Sequence, residues 1–294
     1  MTKKPSPLNF EFAFKTENPQ PIKNIFQVGE SFDATLKISS PKGNFSHRGI
    51  DFEFCTEFLP KGGKVVKYNV VPLRLSEAGT IPTSQEFQLP KCSIEQNCQT
   101  YIGESFSLRH WIRISVKKLI GTVDLEKEII AYNVTTPSKK LDLICVRVAV
   151  EDSIRIDLIT NRRQFEIHDV ITGAAHFLLV NLKVKSFTVS LIAQEYTEFN
   201  GKVNRTKNRI QSWEITDGAP VKGEIVPFRL FLNPLHLNPS CSNPQKGYSV
   251  THFLHFTVIT MSNEKYFKAL QIKLNKWTVL PFVFTDEAPK AASK

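Results

Sequence analysis

The chain has 294 residues, a mass of 33.4 kDa and a net charge of +10, from 38 Lys and Arg against 28 Asp and Glu. That length suggests about two domains, and 41% hydrophobic residues supply real cores, which excludes a disordered tail. Twenty-two Phe against 13 Ala and 2 Met favour a pleated surface over helix, and the basic excess raises nucleic acid or an anionic membrane as a partner.

The predicted elements are strands from the start. Leu8, Phe10, Phe12 and Phe14 alternate with other residues, as do Phe32, Ala34, Leu36 and Ile38. Ile50, Phe52, Phe54, Thr56 and Phe58 follow the same period, and then Phe106, Leu108, His110, Ile112, Ile114 and Val116. Period two turns every second side chain to one face, the mark of a half-buried strand. Ser40-Pro41-Lys42-Gly43, Lys61-Gly62-Gly63-Lys64, Asn200-Gly201 and Asn243-Pro244 read as turns between the runs. No helical-length window keeps an apolar face, so the fold expected is all-β, built of antiparallel sandwiches.

The chain also repeats. Residues 106–116, from Phe106 to Val116, resemble residues 248–258, from Tyr248 to Val258, at an offset of 142. At the same offset Phe26-Gln27-Val28-Gly29 aligns weakly with His168-Asp169-Val170-Ile171. Two copies of one sandwich are expected, residues 1–137 and 138–284, joined at the polar, proline-containing stretch Thr135–Lys140 and followed by a short tail, 285–294.

Mapping the charge places net +3 in residues 1–137 and +7 in 138–294. The densest basic run, Lys202, Arg205, Lys207 and Arg209, reads as a loop between strands, either simply solvated or touching an acidic partner or anionic headgroup. Elsewhere basic residues mix with acidic ones. No continuous stripe tracks a phosphate backbone, so nucleic acid is not expected as a partner.

Catalytic and metal motifs are absent. There is no HExxH, no Walker or Rossmann glycine pattern, and Gly103-Glu104-Ser105-Phe106 lacks the second glycine of a nucleophile elbow. His110 and His252, at equivalent places in the repeat, read as hydrogen-bonded core residues. The cysteines, Cys55, Cys92, Cys98, Cys145 and Cys241, form no CxxC pair and no even framework. Cys55 and Cys145, inside alternating runs, read as buried free thiols, and Cys92 and Cys98 flank a loop across which a disulfide is conceivable. Met1–Phe14 has no apolar core of signal-peptide length, and no run reaches membrane-span length, so a cytosolic protein is expected.

Several stretches carry a resemblance. They are Val28-Gly29-Glu30-Ser31; Tyr101-Ile102-Gly103 followed by Leu108-Arg109; Val150-Glu151-Asp152; and Asp169-Val170-Ile171-Thr172-Gly173 with Phe177-Leu178-Leu179-Val180. The most specific is residues 214–224, Glu214 to Glu224, which contain Asp217-Gly218-Ala219-Pro220 and precede Pro227-Phe228-Arg229-Leu230-Phe231-Leu232. Tyr266-Phe267-Lys268 precedes Ile272 and Trp277. Over roughly residues 8–278 the chain resembles a divergent member of the vacuolar protein sorting 26 family, the small subunit of retromer. The retriever-complex paralogue matches the Asp-Gly-Ala-Pro segment less well.

The resemblance implies two arrestin-like β-sandwiches in tandem, no catalysis and no cofactor. It implies a cytoplasmic adaptor, peripheral on endosome membranes, for retrograde transport of transmembrane cargo to the Golgi or plasma membrane. The implied partners are an α-solenoid scaffold of the vacuolar sorting 35 type, a sorting nexin and cytosolic cargo tails. The scaffold contact maps to Ile215, Thr216, Asp217 and Gly218, where Thr216 departs from the usual apolar residue. The cargo and sorting-nexin site maps to Val148 and Phe267. Glu151 and Asp152 are candidates for a polar cluster between the domains, or for a surface turn. An arrestin-like adaptor acting without retromer is the other binding class. Its ligase-recruiting members usually carry Pro-Tyr dipeptides, which are absent from residues 278–294.

Overall fold

The structure, a computed structural model, describes residues 6–16, 24–135, 143–199 and 201–276. The expected junction beyond Thr135, the Asn200 turn position, Trp277 and the tail 285–294 lie outside the described residues. The first half forms β1 (Asn9–Thr16), β2 (Ile25–Gln27), β3 (Ser31–Ser39), β4 (Phe45–His47), β5 (Gly49–Pro60), β6 (Val66–Ser76), β7 (Gly79–Ile81), β8 (Ser84–Gln88), β9 (Cys92–Ser93), β10 (Tyr101–Ile102), β11 (Phe106–Lys117) and β12 (Thr122–Tyr132). The second half forms β13 (Ile144–Val150), β14 (Ile154–Thr160), β15 (Gln164–Glu166), β16 (Val170–Val180), β17 (Val184–Phe199), β18 (Lys202–Asp217), β19 (Ile225–Phe231), β20 (Cys241–Asn243), β21 (Tyr248–Thr260) and β22 (Lys265–Asn275). Two single 3-10 turns, Asn233–Leu235 and Pro244–Lys246, are the only helical segments among the described residues.

The strands form two sheets in each half. In the first, β1-β3-β8 packs over β2-β12-β11-β5-β6, with β4-β7 as a separate ribbon. In the second, β13-β14-β16-β19 packs over β15-β22-β21-β17-β18. No sheet takes strands from both sides of residues 136–142. The expected all-β tandem sandwich is what forms, and alternation builds it. In β3, Phe32, Ala34, Leu36 and Ile38 are buried while their neighbours reach further towards solvent. One core gathers Phe26, Phe32, Leu36, Phe54, Ile112 and Ile114. The other gathers Ile156, Phe165, Phe177, Phe187, Leu191 and Phe256.

The two copies share one device. β2 runs parallel to β12, and β15 runs parallel to β22. After each short strand the chain turns, and an acid caps the turn. The Glu30 carboxylate accepts from the Gln27 N–H at 3.0 Å, and Asp169 accepts from the Glu166 N–H at 3.0 Å. This sets the second match at an offset of 139, Gln27 to Glu166, and corrects the alignment of Phe26 with His168. Phe26 is matched by Phe165, and both are buried.

Where the halves meet, aromatic rings interlock. Phe58, Tyr101, Phe106 and Leu108 pack with Tyr248 and Val250. Phe58 stacks on Tyr248 at 5.6 Å between centroids. Beside these rings lies Glu195 of β17, only 3% exposed. Its carboxylate accepts from the Tyr101 hydroxyl at 2.8 Å and from the Glu104 and Ser105 N–H groups at 2.9 and 2.5 Å. Segment 91–100 adds to the joint. Lys246 pairs with Glu95, Gln99 Nε2 donates to Pro239 O at 3.1 Å, and the Tyr248 hydroxyl donates to Asn97 O at 3.0 Å. The polar cluster between the domains therefore does not use Glu151 and Asp152. These are exposed and occupy a surface turn, closed by Ser153 N–H on Val150 O.

Two further expectations need correction, and one open alternative is decided. Lys202, Arg205, Lys207 and Arg209 lie on β18, not in a loop, because β17 continues far enough to pair with the whole run. Cys145 is exposed, since Ile144, Val146 and Val148 take the inward positions of β13. Cys92 and Cys98 are both buried free thiols, with no bond between them.

Candidate functional site

Two strand edges open side by side in the second sandwich. β13 ends its sheet and bonds only to β14. β22 pairs with β21 from Lys265 to Ile272, but β15 covers its other edge only at Lys273–Asn275. The gap between Arg147–Val150 and Lys265–Lys268 is a groove of about 350 Å³. Both residues of the expected cargo site line it, in different ways. Val148 points into the core opposite Ile156 and is 5% exposed, so it shapes the wall. Phe267 stands 66% exposed on the outer face, stacked on His255 with centroids 5.7 Å apart and planes 8° apart.

The groove has a basic surround. Arg147 is spoken for: its guanidinium forms a two-pronged bond to Asp157, which holds that carboxyl below its ordinary range. Lys265 and Lys268 make no ion pair with any described residue. Burial, then the charges of Lys207 and Arg209, push His255 below the usual imidazole range. That electrostatic link joins part of the basic run to the face carrying His255 and Phe267. Arg205 instead lies over the Tyr196 ring, 5.6 Å from its centroid, and Lys202 lines a separate cleft with Lys61 and Lys64. The sequence run is thus divided among three places.

The expected scaffold segment closes β18. Thr188 pairs with Glu214 and Phe187 with Thr216, leaving Ile215 as the extra residue of a bulge. Its side chain packs partly buried against the second core. Thr216 is half-buried, and its hydroxyl has no hydrogen-bond partner among the described residues. Asp217 is exposed. Gly218 has φ +115°, a conformation that favours glycine, and its N–H donates to Lys185 O at 2.9 Å. Of the four, Asp217 presents the most open side chain. The apolar groups that do reach solvent close by in sequence are Val221 and Ile225, 67% and 59% exposed. Strand periodicity leaves both unmarked: Val221 lies in the turn before β19, and Ile225 opens β19 on its outward face.

The two expected core histidines are buried. His110 Nε2 lies 2.8 Å from Cys98 O and its Nδ1 lies 2.8 Å from Thr56 Oγ1. A carbonyl only accepts, so Nε2 carries the proton and Nδ1 accepts from the threonine. His252 Nδ1 meets Ser240 Oγ at 2.9 Å. Burial lowers both to about 4, so both are neutral near pH 7. Among the described residues no group of three or more His, Cys, Asp or Glu is placed to hold a metal ion, and no helix is long and apolar enough to cross a membrane.

Comparison with known proteins bears on what these edges serve. The family model described as vacuolar protein sorting-associated protein 26 matches residues 10–263. Vacuolar protein sorting-associated protein 26B of Mus musculus and of Homo sapiens are each 29% identical over 265 residues, covering 88% of this chain and 79% of theirs. The Danio rerio protein of that name is 28% identical over 286 residues, covering 95% of this chain and 86% of its own. The family is one of non-catalytic, arrestin-like sorting subunits, which assigns this chain a role in vacuolar protein sorting and no enzymatic reaction. With its matched span covering most of both sandwiches, the chain belongs to the vacuolar protein sorting-associated protein 26 family.

Proposed function

We propose that this chain is a retromer-type adaptor that selects cytosolic tails of transmembrane cargo and carries them to an α-solenoid scaffold at endosomes. The observation that supports it most is the pair of open strand edges at Arg147–Val150 and Lys265–Lys268, with Phe267 standing exposed beside them. An extended tail adds to such an edge through its backbone, and an apolar side chain of the tail settles against Phe267. Lys265, Lys268, Lys207 and Arg209 favour tails with acidic residues, and a sorting nexin closes the open side of the groove. The scaffold takes the opposite edge of the sheet, around Asp217, Gly218 and the exposed Val221, across β21 and β17 from Lys265. The domains divide near residues 137 and 138.

Co-purification with a retromer scaffold from the same cell tests the reading. Wild type is expected to bring the scaffold down, and the double substitution Asp217→Lys and Val221→Asp to lose it with an unchanged unfolding midpoint. Ile215→Asp is a poorer probe, since it also places a charge against the core. A wild-type chain that binds no such scaffold ends the proposal. Capture of a retriever-type scaffold instead assigns the chain to the paralogous complex.

A further inference from the structure

The turn between β11 and β12 carries the two most exposed large hydrophobic side chains among the described residues. Leu119 is 74% exposed and Ile120 is 85% exposed. They are consecutive, at the centre of a four-residue turn closed by the Lys118 N–H on Gly121 O at 2.9 Å, with Gly121 at φ +78°. Lys117 opposite Thr122 fixes the hairpin just below. The apolar tip is therefore presented by a rigid ladder, away from both cores.

Its neighbours are basic. Lys118 begins the turn, and the Arg48 N–H donates to Lys117 O at 2.7 Å, which sets Arg48 beside it. Lys117 is matched by Asp51, whereas Lys118 and Arg48 make no ion pair with a described residue. A convex turn of four residues offers far less than the roughly 800 Å² per side that a stable protein interface uses. Two aliphatic side chains flanked by two unmatched cations, Lys118 and Arg48, suit a fluid apolar phase beneath anionic headgroups.

We propose that the Leu119–Ile120 hairpin tip inserts into the surface of an anionic membrane, with Lys118 and Arg48 at headgroup level. This deepens the reading of the chain as a peripheral sorting subunit by naming its lipid contact, and it places that contact away from the 202–209 run. β11 starts in the joint between the sandwiches at Phe106 and runs about 40 Å to the tip at ~3.3 Å per residue.

The test is flotation of the full chain with phosphatidylcholine vesicles, with and without about a third phosphatidylserine. Wild type should float with the anionic vesicles and stay behind with the neutral ones. Leu119→Ser and Ile120→Ser should each lower partitioning by about tenfold, and the pair together should abolish it with no change in unfolding midpoint. Ile120→Trp should show an emission blue shift on adding anionic vesicles, and quenching by brominated acyl chains. Wild-type failure to float, undiminished flotation of the double variant, or loss only when Lys202, Arg205, Lys207 and Arg209 are reversed would overturn the proposal. Scaffold co-purification by the same double variant separates the two readings. It should persist, and a wild type that floats without binding any scaffold sinks the adaptor role alone.

Discussion

Removing the Glu195 carboxylate should loosen the joint between the sandwiches, and the structure sets the size of the effect. In Glu195→Ala the Tyr101 hydroxyl and the Ser105 N–H lose their partner inside buried surroundings, while the Glu104 N–H is closer to water. Each stranded buried donor costs about 1–3 kcal/mol. Relief from burying the carboxylate recovers part of that, leaving a net loss of about 3 kcal/mol. Tyr101→Phe removes one donor and leaves two N–H groups on the carboxylate, for about 1 kcal/mol. Because the two groups share one hydrogen bond, the double variant should be less damaged than the sum, by about 1 kcal/mol. Urea unfolding of the four proteins measures this directly, and loss of the joint should begin to split one transition into two. If Glu195→Ala unfolds within about 0.5 kcal/mol of wild type, or if the cycle is additive, the carboxylate does not hold the sandwiches together.

The buried histidines tie stability to pH. His110 and His252 titrate at about 4 when folded and near 6.5 when unfolded, so the unfolded chain takes up protons first as pH falls. Their contribution is intact above pH 6.5 and is lost towards pH 4, at up to about 1.4 kcal/mol per pH unit for each. Urea midpoints at pH 7 and pH 5 check this, and His252→Gln should lower the slope. Gly173→Ala would drive a methyl group into Ile159 O and the Phe228 ring, costing about 2 kcal/mol by denaturation. Phe267→Asp should leave stability within about 0.5 kcal/mol, yet lower binding of a cargo tail plus sorting nexin about tenfold or more in an anisotropy titration. Equal loss of scaffold binding would point to unfolding instead.

Alternation makes the β3, β5, β11 and β21 strands legible in the amino-acid sequence, because one buried face imposes period two on it. The repeat from Phe106 to Tyr248 is legible for the same reason. The turn repeat is not, since Gln27 and Glu166 share a backbone geometry and an acid three residues on, rather than a string of similar side chains. Glu195 is invisible in sequence as a structural residue. Its partners lie about 90 residues away, and nothing local marks a carboxylate that caps another domain's loop. Gly103, which sequence marks through a family resemblance and an incomplete nucleophile-elbow pattern, has a physical reason in that loop. A Cβ there would come within 2.6 Å of Glu195 Oε1. Val148 and Phe267 likewise stand out in sequence only by resemblance, and the fold alone brings them to one groove.

β18 is the last strand of its sheet, so one side of its backbone carries N–H and C=O groups with no ladder partner. Such an edge is a template for another strand, including the same strand of a second copy. Here Lys202, Arg205, Lys207 and Arg209 line its first half, so a second copy laid alongside in parallel, or antiparallel over that half alone, would set cation against cation, whereas full antiparallel overlap would set Lys202 by Asp217 and Arg205 by Glu214. The charges therefore act as a gate on register: they disfavour the self-pairings that overlap the basic half while leaving that half open to an acidic strand. Substituting them to probe a partner would also remove that gate, and self-association of such variants would reveal the second duty of the run.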